Sequence, residues 1–229
     1  MPRKPIGVAK MSPPGNAYLK QLDLAKEIAT CSGRAKGIFG IDYLVRLSIC
    51  VLLLFMPAMF VRWISGKFGY MSRKISIEIY AILKPIFLYF VLFSGRANNK
   101  WWVLLTLWLF ADLYLYLFGL VFLRRFYTVP ASYGRSLLLL GINFCEAALA
   151  FAIFYTFSHS LFSNGHVVYA PIDMLYFSLV TASTVGFGDI TVSSDTAKWL
   201  VIGQILSSLG FISLFVASFV AGFNDSEHA

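Results

Sequence analysis

The sequence predicts an all-α, multi-pass membrane protein, and three observations predict it. The chain has 229 residues, of which 59% are hydrophobic and only 13% charged, too apolar for a soluble domain of that length. The apolar residues gather into runs at Leu47–Val61, Ile75–Phe93, Trp101–Leu123, Ser136–Phe157 and Trp199–Phe223. Most of these reach the roughly 17–25 residues that a spanning helix needs. Basic residues lie mainly between the runs: Arg62, Lys67, Arg73 and Lys74 separate the first two, and Arg124, Arg125 and Arg135 separate the third and fourth.

Residues 1–40 form a basic segment carrying Arg3, Lys4, Lys10, Lys20, Lys26, Arg34 and Lys36. It is too long for the charged region of a signal peptide. A cytoplasmic segment close to anionic membrane lipid fits it, with a plain polar leader as the alternative. The net charge of +8 does not point to nucleic acid, because no aromatic–basic module accompanies it. Cys31, Cys50 and Cys145 are scattered without metal-type spacing, so neither a disulfide framework nor a metal cofactor is expected. Residues 41–130 read as N-terminal membrane helices, two or three in number. The doubtful one is Leu47–Val61. Its 15 residues between Arg46 and Arg62 reach about 22 Å as helix, short of a core of about 30 Å, and Pro57 interrupts them. An interfacial or partly inserted helix is favoured over a true span with both arginines snorkelling.

Residues 131–224 read as one further domain, followed by a short tail at 225–229. Its order is helix, loop, short helix, irregular strand, helix. The first helix is about Ser136–Phe157, and a loop with Asn164-Gly165 follows. Pro171 suits the first turn of the next helix, where a missing N–H costs nothing. Asp173 complements the positive end of that helix. The helix runs to about Ala182 and leads into Thr181-Ala182-Ser183-Thr184-Val185-Gly186-Phe187-Gly188-Asp189. A dehydrated monovalent cation needs rings of oxygen at close range, and backbone carbonyls supply them if successive C=O groups point the same way. That requires alternating backbone conformations, which Gly186 and Gly188 reach at little steric cost. The last helix is about Ala197–Phe223.

This Thr-x-x-Thr-Val-Gly-Phe-Gly-Asp run resembles the selectivity filter of potassium channels, and about Gly134–Phe223 is similar to their two-helix pore module. The resemblance implies ion sites at the carbonyls of Thr184, Val185, Gly186 and Phe187 and at the Thr184 hydroxyl. It gives supporting roles to Gly188, Asp189, Tyr176, Val180 and Thr181. It also implies four strands around one axis, hence a homotetramer embedded in membrane lipid, with K+ as permeant ion and no cofactor. Departures from the family pattern are informative. Phe187 replaces the usual Tyr, Tyr176-Phe177 stand where many relatives have two Trp, and Val180 stands where some bacterial relatives have Glu. Tyr176 can still donate its hydroxyl to Asp189. The family's hinge glycine falls at Ser208, so Gly210 becomes the candidate bend, with a straight helix as the alternative. The expected function is a passive, potassium-selective channel, not an enzyme, in the plasma membrane and, from its compactness, a bacterial inner membrane. A weakly selective monovalent cation channel, a transporter and an accessory subunit are the rivals.

If the filter opens outward, Arg124–Arg135 is cytoplasmic, as the positive-inside rule requires. No span carries arginine at every third position, and no ligand-binding domain follows Phe223, so neither voltage nor such a domain is expected to gate the pore. Lys84, Asp112 and Glu146 lie in three different apolar runs, at about 14, 16 and 15 Å from the cytoplasmic ends of their helices. Isolated charges at that depth are expensive, so Lys84 is expected to pair with Asp112 or Glu146. The alternatives are a charge-sensitive coupling element and neutral buried acids. His159 and His166 fall in the outer loop as exposed bystanders or pH modulators. Phe211, Phe215 and Phe219 make a stripe on the last helix, for packing or a hydrophobic gate.

Overall fold

The computed structural model describes residues 17–31, 41–68, 70–122, 133–163 and 165–226. Arg3, Lys4, Lys10, Arg34, Lys36, Arg124, Arg125 and Asn164 lie outside them. The chain divides into two units, Met1–Glu78 and Ile79–Ala229.

The first unit holds α1 (Ala17–Cys31), α2 (Ile41–Leu53), α3 (Pro57–Gly66) and the start of α4 (Tyr70–Phe93). The apolar run at 47–61 is two helices bent by 61°, not one rod. Pro57 is the cause. A residue before proline is pushed to extended backbone, and Met56 sits at φ −86°, ψ 147° as the N-cap of α3. Neither helix alone is long enough to cross a core of about 30 Å. Helix α1 lies inside the segment that reads as a polar leader, and it packs on α2 and α3. Its Gln21 is buried and donates to the Cys50 carbonyl at 3.4 Å, while the Tyr18 ring meets Phe60 and Trp63 edge-on.

The second unit continues α4 and adds a 3-10 turn (Arg96–Asn98), α5 (Lys100–Phe122), α6 (Tyr133–Ser158), α7 (Pro171–Ala182) and α8 (Asp195–Ser226). Helices α4, α5, α6 and α8 each contain a stretch long and apolar enough to cross a membrane. The α4–α5 hairpin closes through Gly95 at φ 73°. Asn99 then caps α5, its Oδ1 accepting the Trp101 N–H at 3.0 Å. Helix α6 is the hub, packed against α5, α7 and α8. Its Leu149, Ala150, Phe151, Ala152, Ile153 and Tyr155 form the core with Leu88, Val91 and Leu92 of α4 and Met174 of α7.

The all-α expectation holds apart from a small sheet. Strands β1 (Leu161–Ser163), β2 (His166–Val167) and β3 (Thr191–Val192) pair antiparallel in the order β2-β1-β3. Both partners of β1 come from segments flanking α7, so the sheet ties the loop before α7 to the chain after Asp189.

Candidate functional site

The site grows out of the end of α7. That helix starts as the sequence suggests, with Pro171 in its first turn, Ala170 extended before it and Asp173 near the positive end. It ends in a Schellman arrangement. The Thr184 N–H donates to the Thr181 carbonyl at 3.1 Å, and the Val185 N–H donates to the Val180 carbonyl at 3.1 Å. This cap puts Thr184 in the left-handed region at φ 59°, a position usually filled by glycine. Thr181 and Val180 thus support the next segment with their carbonyls.

From Thr184 the backbone alternates. Positive φ occurs at Thr184 (59°), Gly186 (58°) and Gly188 (79°), with Val185 and Phe187 between them. A Cβ added at Gly186 or Gly188 would meet nothing within 4 Å in this chain, so conformation and not space demands glycine there. Among the described residues, no hydrogen bond is accepted by the carbonyls of Thr184, Val185, Gly186 or Phe187. Residues 183–189 are all exposed in the single chain.

The segment is held at both ends. The α7 cap fixes its start. At its far end Ile190 is buried, and β3 pairs Leu161↔Val192 and Phe162↔Thr191. Behind it, the Phe187 ring lies parallel to the Tyr176 ring, at 6.5 Å and 2° between planes. The Phe187 side chain is therefore directed at α7. The neighbouring Asp189 carboxylate, with a smaller part from burial, raises the Tyr176 pKa above the usual phenol value. Tyr176 and Asp189 are thus neighbours.

One feature of the site has no counterpart in the sequence reading. Gln204 of α8 is almost fully buried. Its Oε1 accepts the Tyr155 hydroxyl of α6 at 2.7 Å. Its Nε2 donates to both the carbonyl and the hydroxyl oxygen of Ser178 on α7, each at 2.8 Å. The Ser178 hydroxyl donates in turn to the Ala148 carbonyl of α6 at 2.7 Å. This polar clamp joins the three helices that carry the segment. The signal was present, since a glutamine and a serine inside apolar helices need partners at depth.

The remaining candidates fall elsewhere. Lys84, Asp112 and Glu146 come together in one buried cluster on α4, α5 and α6. Helix α8 is unbroken through Ser208 and Gly210; Ser208 is buried and Gly210 exposed. Phe211 is buried against Tyr114 and Phe144, so it packs α8 onto α5 and α6, whereas Phe215 is exposed. His159 ends α6 at φ 48° with its ring 6.2 Å from Tyr169, and His166 opens β2.

Comparison with known proteins covers the part of the chain that holds this segment. Residues 144–223 match a family model described as "Ion channel". Two relatives from Oryza sativa subsp. japonica are similar over a short stretch. Two pore potassium channel c is 39% identical over 49 residues, which is 21% of this chain and 11% of that protein. Two pore potassium channel a is 39% identical over 46 residues, 20% of this chain and 13% of that protein. The chain therefore spans little more than a tenth of the length of these relatives. No solved structure matches it.

Proposed function

We propose, from the premise that residues 144–223 belong to the ion-channel family, that this chain is a passive, potassium-selective channel. The observation that carries the reading is the alternating backbone from Thr184 to Gly188, with carbonyls left without partners inside the chain. Alternation turns successive C=O groups to one side, and unpartnered carbonyls can replace the hydration shell of a monovalent cation. The names of the two similar rice proteins support potassium as the ion.

One chain supplies one strand of oxygens, and an ion on an axis needs a ring, so we assign the working unit to four copies. In that unit the carbonyls of Thr184, Val185, Gly186 and Phe187, with the Thr184 hydroxyl, coordinate the dehydrated ion. Val185 and Phe187 face away from the axis and hold the strand open. Helix α7 points its C-terminal end toward the ion path, where partial negative charge favours a cation. Because the ligands are backbone atoms, replacement of the usual filter tyrosine by Phe187 leaves the coordinating set intact. Tyr176, beside Asp189 and parallel to the Phe187 ring, supplies support behind the strand. No group in this scheme makes or breaks a covalent bond, and the membrane location follows from the apolar helices of α4, α5, α6 and α8.

Purified protein in liposomes tests the reading. A potassium gradient should drive flux that barium blocks and that falls steeply when sodium replaces potassium. Flux that ignores the choice of ion would establish a weakly selective cation pore. Flux that saturates and requires a second coupled ion would establish a transporter, and absence of flux would favour an accessory subunit.

A further inference from the structure

Three ionisable side chains meet deep in the second unit, and their charges do not balance. Lys84 Nζ lies 2.9 Å from Glu146 Oε2 and 3.6 Å from Asp112 Oδ2. The side chains of Lys84, Asp112 and Glu146 are 8%, 2% and 0% exposed. The Tyr80 hydroxyl donates to Asp112 Oδ2 at 2.9 Å. One ammonium thus faces two carboxylates, which leaves one uncompensated negative charge at the middle of a helix bundle. Two carboxylates sharing one site cannot both ionise cheaply, and isolated charge at membrane depth is costly. Asp112 Oδ1 and Glu146 Oε1 are buried with neither a hydrogen bond nor an ion-pair contact. Glu146 Oε2 and the Tyr114 hydroxyl also make no hydrogen bond, and Oε2 faces only the Lys84 ammonium.

We propose that Lys84, Asp112 and Glu146 form a buried proton-binding site, in which the two carboxylates share one lysine and one proton. The proton neutralises the excess charge, and either unpartnered oxygen can carry it as an O–H. The two acids then titrate as a pair. A metal ion is a poor alternative occupant. Two carboxylates and one phenol offer few oxygens, and an ammonium already sits between them. Among the described residues, the titratable groups facing the acids are Lys84 and Tyr80 from α4 and Tyr114 from α5. The charged residues Asp173 of α7 and Asp195 and Lys198 of α8 stand in the first turns of their helices, the last two exposed to solvent.

The placement gives this proton a route to the pore, a consequence that rests on the channel reading above. Glu146 lies two residues from Ala148 on α6, and Ala148 accepts the Ser178 hydroxyl of α7. Ser178 is in turn held by Gln204 of α8. On the other side Tyr114 packs edge-on against Phe211 of α8, with ring centroids 6.0 Å apart. Loss of the proton would push Asp112 of α5 and Glu146 of α6 apart and so move the two helices, each of which carries one of these contacts.

Infrared spectroscopy of the full chain in liposomes tests the site without reference to conduction. The wild type should show the carbonyl stretch of a protonated carboxylic acid at neutral pH, lost on raising the pH. Glu146→Gln or Asp112→Asn leaves one acid for one lysine, so either should abolish that band. Lys84→Met leaves two acids and no cation, so the band should roughly double. A wild type with no such band at neutral pH overturns the proposal, as does a band that survives in both amide variants. A signal that instead follows exchange of sodium for potassium assigns the compensation to a metal ion and also overturns it. The wild type and the two amide variants carry the test should Lys84→Met not assemble. Potassium flux should then vary with pH in the wild type and be flat in Glu146→Gln. A band that behaves as stated in protein without flux separates failure of the channel reading from failure of the proton site.

Discussion

At the scale of single residues, backbone conformation decides the candidate site. Gly186 and Gly188 hold positive φ in open space, so an added methyl group clashes with nothing in the chain yet strains the backbone. A non-glycine residue held in that region costs about 1–3 kcal/mol. Gly186→Ala should therefore leave packing within the chain unchanged, while its potassium flux in liposomes falls to the level of empty vesicles. Flux within about twofold of the wild type would remove the alternating strand as the ion path. The glycines were legible in the sequence because they stand in a six-residue run that follows a short helix and lies between two apolar runs. Thr184 was not. A β-branched residue at φ 59° contradicts its own preference, and it sits there because the two capping bonds from Thr184 and Val185 close α7 at that point. Only the geometry of the helix end reveals that.

At the scale of elements, the fold was legible wherever apolar runs were long and uninterrupted. The expected spans at 75–93, 101–123, 136–157 and 199–223 correspond to α4, α5, α6 and α8. Pro57 was legible as an obstacle, and the 61° break between α2 and α3 is its consequence. The three-stranded sheet was not legible, because strands of two or three residues leave no periodicity to read. Helix α1 was hidden by the basic residues around it. Nor did the sequence pair Gln204 with Tyr155 and Ser178, 49 and 26 positions away. Interhelical hydrogen bonds in membranes average about 0.6 kcal/mol and reach about 1.7. Tyr155→Phe should thus lower thermal stability in detergent by about 1 kcal/mol or less per chain. Gln204→Leu removes an acceptor and a donor together and orphans the Tyr155 hydroxyl, so it should cost about 1–3 kcal/mol per chain. The double variant should cost less than the two single costs added, because the orphaned hydroxyl is gone. Strict additivity would mean that Gln204 and Tyr155 do not act as one clamp.

At the scale of the whole molecule, the second unit leaves one of its surfaces unfinished. The apolar stretch of α6 is 56% buried within the chain, whereas that of α8 is 17% buried. Lipid could cover Leu206, Leu209, Ile212 and Val216, all of which are exposed. It cannot cover residues 183–189, which are exposed in the same unit with backbone carbonyls lacking partners. Each unsatisfied backbone group in hydrocarbon costs several kcal/mol, so a lipid-facing filter strand would be among the least stable features of the molecule. The strand must face water or other copies of itself. The proposed ring of four copies would meet both demands, by lining a hydrated path with carbonyls. Native mass spectrometry of the detergent-solubilised protein should therefore give four chains as the dominant species. A monomer that retains potassium-selective flux would show that one strand suffices, and the ring argument would fail with it.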